Sequence, residues 1–308
     1  MRKIFLFLVL SLCGLTLHAQ DSEKVQYERY WKNGVEKIRV MSYNIFNGFD
    51  WLKDTEREER FVAWIKKQDP EVLGLEELCG FNQERLEKLA ARWGHPYAVI
   101  VKENGYPVGI TSKKPIILKA KLVGKIGHGL LHVQTYDYDF LVTHLNPSSS
   151  TKRNIEAGMI VDYIKTNKLD RCILMGDMNS HSPMDADYMK ANAVELTAKY
   201  GGANSTNLLN GSIDYSIISH FLSLPLIDVC RNYVAPDKRI TFPTPILMNQ
   251  SRHKDVRKRS GERLDYIFVT PSVAKEAVDA FIFNEGETEY LSDHFPIAID
   301  LFRSPATK

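Results

Sequence analysis

The sequence is short of several features that would place it elsewhere. Four cysteines occur in 308 residues, none at CxxC spacing. Cys13 falls in an N-terminal apolar run, which leaves Cys79, Cys172 and Cys230. That spacing fits no structural zinc site, and an odd number of thiols implies no disulfide framework. Cys172 sits in an apolar run and reads as a buried thiol. There is no internal repeat, no low-complexity tract and no stretch rich enough in proline, glycine or serine to mark an interdomain linker. Residues 20–308 therefore read as a single α/β domain, and 44% apolar residues supply a sizeable core.

No apolar run reaches the roughly 20 residues that a helix needs to cross a bilayer. The run from Ile4 to Leu17 is shorter, follows Arg2 and Lys3, and ends at Leu17-His18-Ala19. It reads as a signal peptide over 1–19, with a secreted or periplasmic product and no stable membrane anchor. A lipid-anchored Cys13 fits less well, because Leu12 before it is large.

A net charge is lacking too. The formal charge of +2 comes from Arg2 and Lys3, and without them 38 basic residues face 38 acidic ones. A balanced chain has no global field to draw in a polyanion, so attraction to an anion must be local.

Apolar periodicity predicts strands at 38–46, 72–78, 97–102, 108–112, 116–123, 130–145 and 171–179, and later at about 226–230, 264–270, 280–284 and 295–302. Helices are predicted over 55–68 and 82–93, and after Ser148-Ser149-Ser150-Thr151, with Ile155, Met159, Tyr163 and Ile164 on the apolar face. Residues 180–262 are loop-rich. Hairpins mixed with single helices suit two packed sheets with helices outside.

Apolar strands in this chain end in acids, amides or histidines. Asn44 and Glu77 end the first two, His144 and Asn146 follow LVT, and Asp177 and Asn179 follow ILMG. Asp265 sits within RLDYIFV, and Asp293-His294 precede FPIAI. Each alone reads as a turn former or helix cap. Together they suit hydrolysis of a phosphate ester. Hard divalent ions prefer carboxylate and amide oxygens and neutralise charge on the phosphoryl group. A carboxylate or imidazole deprotonates water, and asparagine donates to phosphate oxygens without adding negative charge.

The blocks SYNIFNG (42–48), DPEVLGLEEL (69–78), THLNP (143–147), GDMNS (176–180), RLDYIF (263–268) and SDHFPI (292–297) resemble, in this order, the endonuclease/exonuclease/phosphatase superfamily of DNase I-like metal-dependent phosphoesterases. The resemblance implies a four-layer α/β/β/α sandwich of two mixed sheets and a Mg²⁺ or Mn²⁺ cofactor. It also implies roles. Asn44, Glu77 and Asp293 match metal-binding positions, Asn44 matching a metal or phosphate ligand. Asp177 and Asn179 match the pair that positions water and phosphate. His294, oriented by Asp265, matches a phosphate contact or base. His144 matches a histidine found in part of the family, and Asn146 is expected to bind substrate. Glu76 departs from the pattern, which has glutamine there.

The expected function is hydrolysis of an anionic phosphate ester, a phosphodiester first, by a monomeric secreted enzyme. A nuclease acting on DNA or RNA and a lipid or inositol-phosphate phosphoesterase stay open as alternatives. So does a catalytically silent anion-binding module, although a binder need not keep a water-activating set. GDMNS and RLDYIF lack the usual inositol-phosphatase blocks. FLSLPL (221–226) reads as a core strand ahead of a lipid-seeking hairpin. The stretch 249–263, NQSRHKDVRKRSGER, reads as a basic flap or a solvated loop. Arg252 and Arg257 within it are candidate substrate contacts.

Overall fold

The computed structural model describes residues 36–200, 207–249 and 261–303, of which Ile38–Leu301 belong to one compact unit. The expected signal peptide and Arg252 and Arg257 lie outside the described residues.

One six-stranded sheet has the order β13-β14-β1-β2-β4-β3, with β1 Glu36–Asn44, β2 Val72–Glu76, β3 Tyr97–Ile100, β4 Gly109–Ser112, β13 Ala277–Ile282 and β14 Ile297–Arg303. The other has the order β11-β12-β8-β7-β6-β5, with β5 Ile117–Leu122, β6 Leu130–Thr135, β7 Tyr138–His144, β8 Cys172–Asp177, β11 Ile227–Asp228 and β12 Asp265–Val269. β1 pairs in parallel with β2, and β7 with β8. The expected four-layer architecture is thus present.

Period-two alternation builds the layers. Val40, Val72, Ile110, Val142, Met175 and Ile267 meet in the core between the sheets. Their sequence neighbours Met41, Leu73 and Leu75 face outward onto helices α1 (Thr55–Gln68) and α2 (Gln83–Ala91), packing on Phe61, Ile65, Leu86 and Leu89. On the other sheet Leu141, Leu174 and Phe268 face Ile160, Ile164 and Phe221, carried by α3 (Ser150–Thr166) and by a helix farther on. That region holds α4 (Ala186–Ala191), α5 (Ala193–Tyr200), a β9–β10 hairpin (Leu208–Leu209, Ser212–Ile213), α6 (Ser216–Leu222) and α7 (Val229–Tyr233).

Three expectations change. The strand expected over 130–145 is a hairpin, reversed at Tyr136 and Asp137, which both take positive φ. The apolar face of α3 is rotated. Ala157, Ile160, Val161 and Ile164 are buried with Arg153 and Glu156, while Ile155 is 59% exposed. FLSLPL is not a strand. It is the end of α6 and a turn, with Phe221 and Leu226 buried, so it offers no exposed apolar hairpin.

Candidate active site

Strand register sets the site. Asn44 pairs with Glu76 across the first parallel pair, and His144 pairs with Asp177 across the second. Asp265 pairs with Asp177 on the antiparallel side. The inner-face residues at these ends therefore stand side by side where the hydrocarbon core stops. Gly176 makes the approach possible. A Cβ there would lie 1.8 Å from the Thr143 carbonyl oxygen, and its φ of +139° suits glycine.

Glu77 steps out of β2 with φ +59°. Its Oε2 accepts from the Asn47 amide at 2.7 Å, and Asn44 Nδ2 lies 3.3 Å from its Oε1. The same Nδ2 reaches Asp177 Oδ2 at 3.2 Å, so one amide joins the two carboxylates. Asn44 Oδ1 accepts from the Phe46 amide at 3.0 Å. Asn44 thus meets the centre through its donor, whereas the sequence places it among metal ligands.

His294 Nδ1 is 2.9 Å from Asp265 Oδ2, the orienting contact expected from the sequence. Its Nε2 is 3.7 Å from Asp177 Oδ2. Burial opposes charging this imidazole, but Asp265 and Asp177 outweigh burial and hold its pKa well above the usual value. Asp177 itself is pushed up to about 7 by burial, against the pull of His294. Asp293, also desolvated and near Glu77, is pushed up to about 7 as well. His144 Nε2 sits 3.4 Å from Asp177 Oδ2, and burial keeps the His144 pKa well below the usual value, so its ring is neutral.

The remaining predicted residues lie at the rim. The Asn179 backbone N–H donates to Asp177 Oδ1 at 2.8 Å, and its Nδ2 donates to the Leu145 carbonyl at 3.0 Å. Asn146 spends Oδ1 on the Ser148 amide, while its own N–H donates to Glu156 Oε2. The side chains of Asn44, Glu77, His144, Asp177, Asp265, Asp293 and His294 are therefore in one neighbourhood. Asn146 and Asn179 shape its edge.

Five contributors were not singled out from the sequence, or were left unplaced. Glu76 faces the site floor, fully buried, with Oε1 accepting from Ser42 Oγ at 2.7 Å. Burial raises its pKa well above the usual carboxylate range. Inward alternation of Val40, Ser42 and Asn44 could have revealed both Ser42 and Glu76. Arg57, buried in α1, donates to the carbonyls of Ile45, Phe46 and Leu291, tying the turn after β1 to the segment before Asp293. The rings of Phe242 and His294 have centroids 4.8 Å apart, and those of His128 and His144 4.6 Å apart. No local pattern announces these loop residues. Arg263, counted in the basic stretch, is instead buried in ion pairs with Asp185 and Asp228, both at 2.6 Å.

A family model described as the Endonuclease/Exonuclease/phosphatase family matches residues 41–294. The chain belongs to that family. Membership supports a phosphoesterase or nuclease type of activity. Among solved structures, an AP endonuclease from Archaeoglobus fulgidus superimposes with a TM-score of 0.63 at 20% identity, covering 85% of this chain and 98% of that one. A humanized D. rerio TDP2 gives 0.54 at 17% identity, covering 87% and 99%. At these identities the likeness concerns the fold. No curated protein matches by sequence. Among the described residues of this family member, Cys79, Cys172 and Cys230 are free and buried. Among its described residues no helix is long and apolar enough to cross a membrane.

Proposed function

We propose that the protein is an exported phosphodiesterase, folded from residues 20–308 as one monomeric domain, that uses a divalent metal to direct water at phosphorus. The observation that carries this reading is the oriented His294–Asp265 pair facing Asp177, with Glu77 joined to Asp177 through Asn44.

The donor set fits a hard cation. Asp177, Asp265 and His294 offer ligand atoms within 4.8 Å of one another, but His294 and Asp265 are committed to each other. Glu77 and Asp293 lie on the other flank, where Asp293 feels both burial and the charge of Glu77. Crowded, desolvated carboxylates of this kind match Mg²⁺ or Mn²⁺. Glu77 and Asp293 would hold the ion, which when bound neutralises charge on the phosphoryl and leaving oxygens.

The protein's own groups divide the remaining work. Asp177, with its raised pKa, accepts a proton from the attacking water, whose oxygen bonds to phosphorus as the ester P–O bond breaks. His294, held cationic and oriented by Asp265, donates from Nε2 to a phosphoryl oxygen. Asn44 donates its amide where charge builds, and neutral His144 limits positive charge on the β7 side. Arg252 and Arg257 supply local positive potential for an anionic substrate.

The test is hydrolysis of bis(p-nitrophenyl) phosphate with Mg²⁺ or Mn²⁺, alongside DNA, RNA, sphingomyelin and inositol phosphates. Turnover that survives excess EDTA would refute metal dependence. No turnover on any member of the panel would favour a silent anion-binding module.

A further inference from the structure

Three loops at the catalytic end bring aromatic rings into one row. Trp51 belongs to the left-handed turn Phe46–Leu52 after β1, Tyr106 to the loop between β3 and β4, and His128 to the loop between β5 and β6. Ring centroids run Trp51 to Tyr106 at 6.1 Å, Tyr106 to His128 at 5.5 Å, and His128 to His144 at 4.6 Å. His144 Nε2 is then 3.4 Å from Asp177 Oδ2. The row thus starts at the buried Asp177 carboxylate and ends in solvent. Its inner rings are withdrawn, and its outer ones are open, with Trp51 45% and Tyr106 36% exposed. Trp51, exposed beside a polar site, presents apolar ring surface to water that a bound ring would cover.

Geometry narrows that partner. Trp51 meets Tyr106 at 75°, and Tyr106 meets His128 at 69°. Rings set nearly at right angles form a corner in which a planar ring stacks on one face and meets another edge-on. A positive charge lies beside the corner and opposes a cation there. Lys102 Nζ donates to the Gly127 carbonyl at 2.8 Å, beside His128. Its charge, added to burial, holds the His128 pKa down to about 4, so the ring is neutral. The buried His128 Nε2 has no hydrogen-bond partner among the described residues.

We propose that Trp51, Tyr106 and His128 form a subsite for an uncharged planar aromatic ring carried by an ester substituent of the scissile phosphate, with the phosphate at Asp177 and His294. The inference rests on the phosphodiesterase reading and deepens it by naming the substituent. A nucleobase and a simple aryl ester share this chemistry.

The experiment reads binding, so that it stands apart from turnover. Ethyl, phenyl, choline and thymidine 5′ esters of methylphosphonic acid are titrated into the full chain with Mg²⁺. Calorimetry and tryptophan emission follow the binding. At least one ring-bearing ester should bind about tenfold tighter than the ethyl ester, in line with stacking on one aromatic side chain. That ratio should fall to about twofold or less in Trp51→Ala, as expected once the stacking ring is removed, and partly persist in Trp51→Phe. Tyr233→Ala, at the opposite strand ends where Tyr233 Oη donates to the Ala277 carbonyl, should leave it unchanged. A tighter thymidine ester identifies a nucleobase source, and a tighter phenyl ester an aryl source; either supports the subsite. Equal binding of ethyl and ring-bearing esters, an unchanged ratio in Trp51→Ala, or tightest binding of the choline ester overturns it. A ring preference without hydrolysis of any diester would sink the proposed activity alone. No binding by any of the four would sink both.

Discussion

His95 shows how one buried side chain ties stability to pH. It is 1% exposed, with Nε2 2.7 Å from the Pro70 carbonyl and Nδ1 2.7 Å from Thr111 Oγ1. The carbonyl can only accept, so Nε2 carries the proton and Nδ1 accepts from the hydroxyl. Burial, aided by Lys113, lowers the pKa from 6.5 to about 4. The unfolded chain therefore takes up a proton first as the pH falls. Stability should drop between about pH 6.5 and pH 4, by about 3 kcal/mol in all. Urea midpoints at pH 7 and pH 4.5 should differ, and His95→Gln should shrink the difference. An equal pH slope in that variant would count against the account. The active-site pair gives a second expectation at this scale. Asp265→Asn removes the charge that keeps His294 oriented and cationic. Its kcat should fall about 100-fold or more while KM changes little. A loss confined to KM would move Asp265 out of the chemistry.

Gly176 and Arg57 decide how elements meet. A methyl group at Gly176 would collide with the Thr143 carbonyl, which is backbone of the paired strand and cannot move aside. Gly176→Ala should separate β7 from β8, cost more than about 4 kcal/mol and abolish a cooperative melt. A near-native Tm would show that the register is less rigid. Arg57→Met leaves three carbonyl oxygens without this donor, those of Ile45 and Leu291 in buried bonds, and should cost about 3 kcal/mol. Several elements were legible because strong local signals agree with the fold. Helix α1 opens on the Asp54 cap, which accepts from the Arg57 amide, and runs over the residues its periodicity marks. The hairpin within 130–145 was not legible. Tyr136 and Asp137 are poor markers of left-handed backbone, and apolar residues continue on both sides. The face of α3 was misread because Arg153 and Glu156 are buried for the loops they hold. Arg153 binds Ser180 and Asn146, and Glu156 binds Gly127 and Asn146. Hydrophobic periodicity cannot see polar side chains that are buried for their hydrogen bonds.

At the scale of the whole molecule, the fold gathers the buried Glu76, Asp177, Asp265 and His294 at one set of strand ends. Adding Mg²⁺ or Mn²⁺ should raise the Tm, because an ion bound only by the folded site stabilises it by mass action. EDTA should reverse the shift, and Glu77→Gln should lose both the shift and most of the activity. An unchanged Tm at millimolar metal would argue against the proposed ligand set. The basic stretch makes a separate claim. Neutralising Arg252, Lys254, Arg257, Lys258 and Arg259 should raise KM for a polyanionic substrate and flatten its salt dependence, with kcat little changed. An unaltered KM would make the stretch a solvated surface.

Composition and motif order alone determined the α/β class, the family and the strand-end residues, because each is written in local alternation and in the types of side chain that chemistry requires. Tertiary structure decided what depends on partners distant in the chain. It set Asn44 as a donor between Glu77 and Asp177, and it placed Glu76 on the site floor and Arg263 in a buried ion network. It also aligned Trp51, Tyr106 and His128 in one row. A side chain's direction and its hydrogen-bond commitments follow from the register of two sheets and from loops closing over their ends, and neither is encoded within a few neighbouring residues.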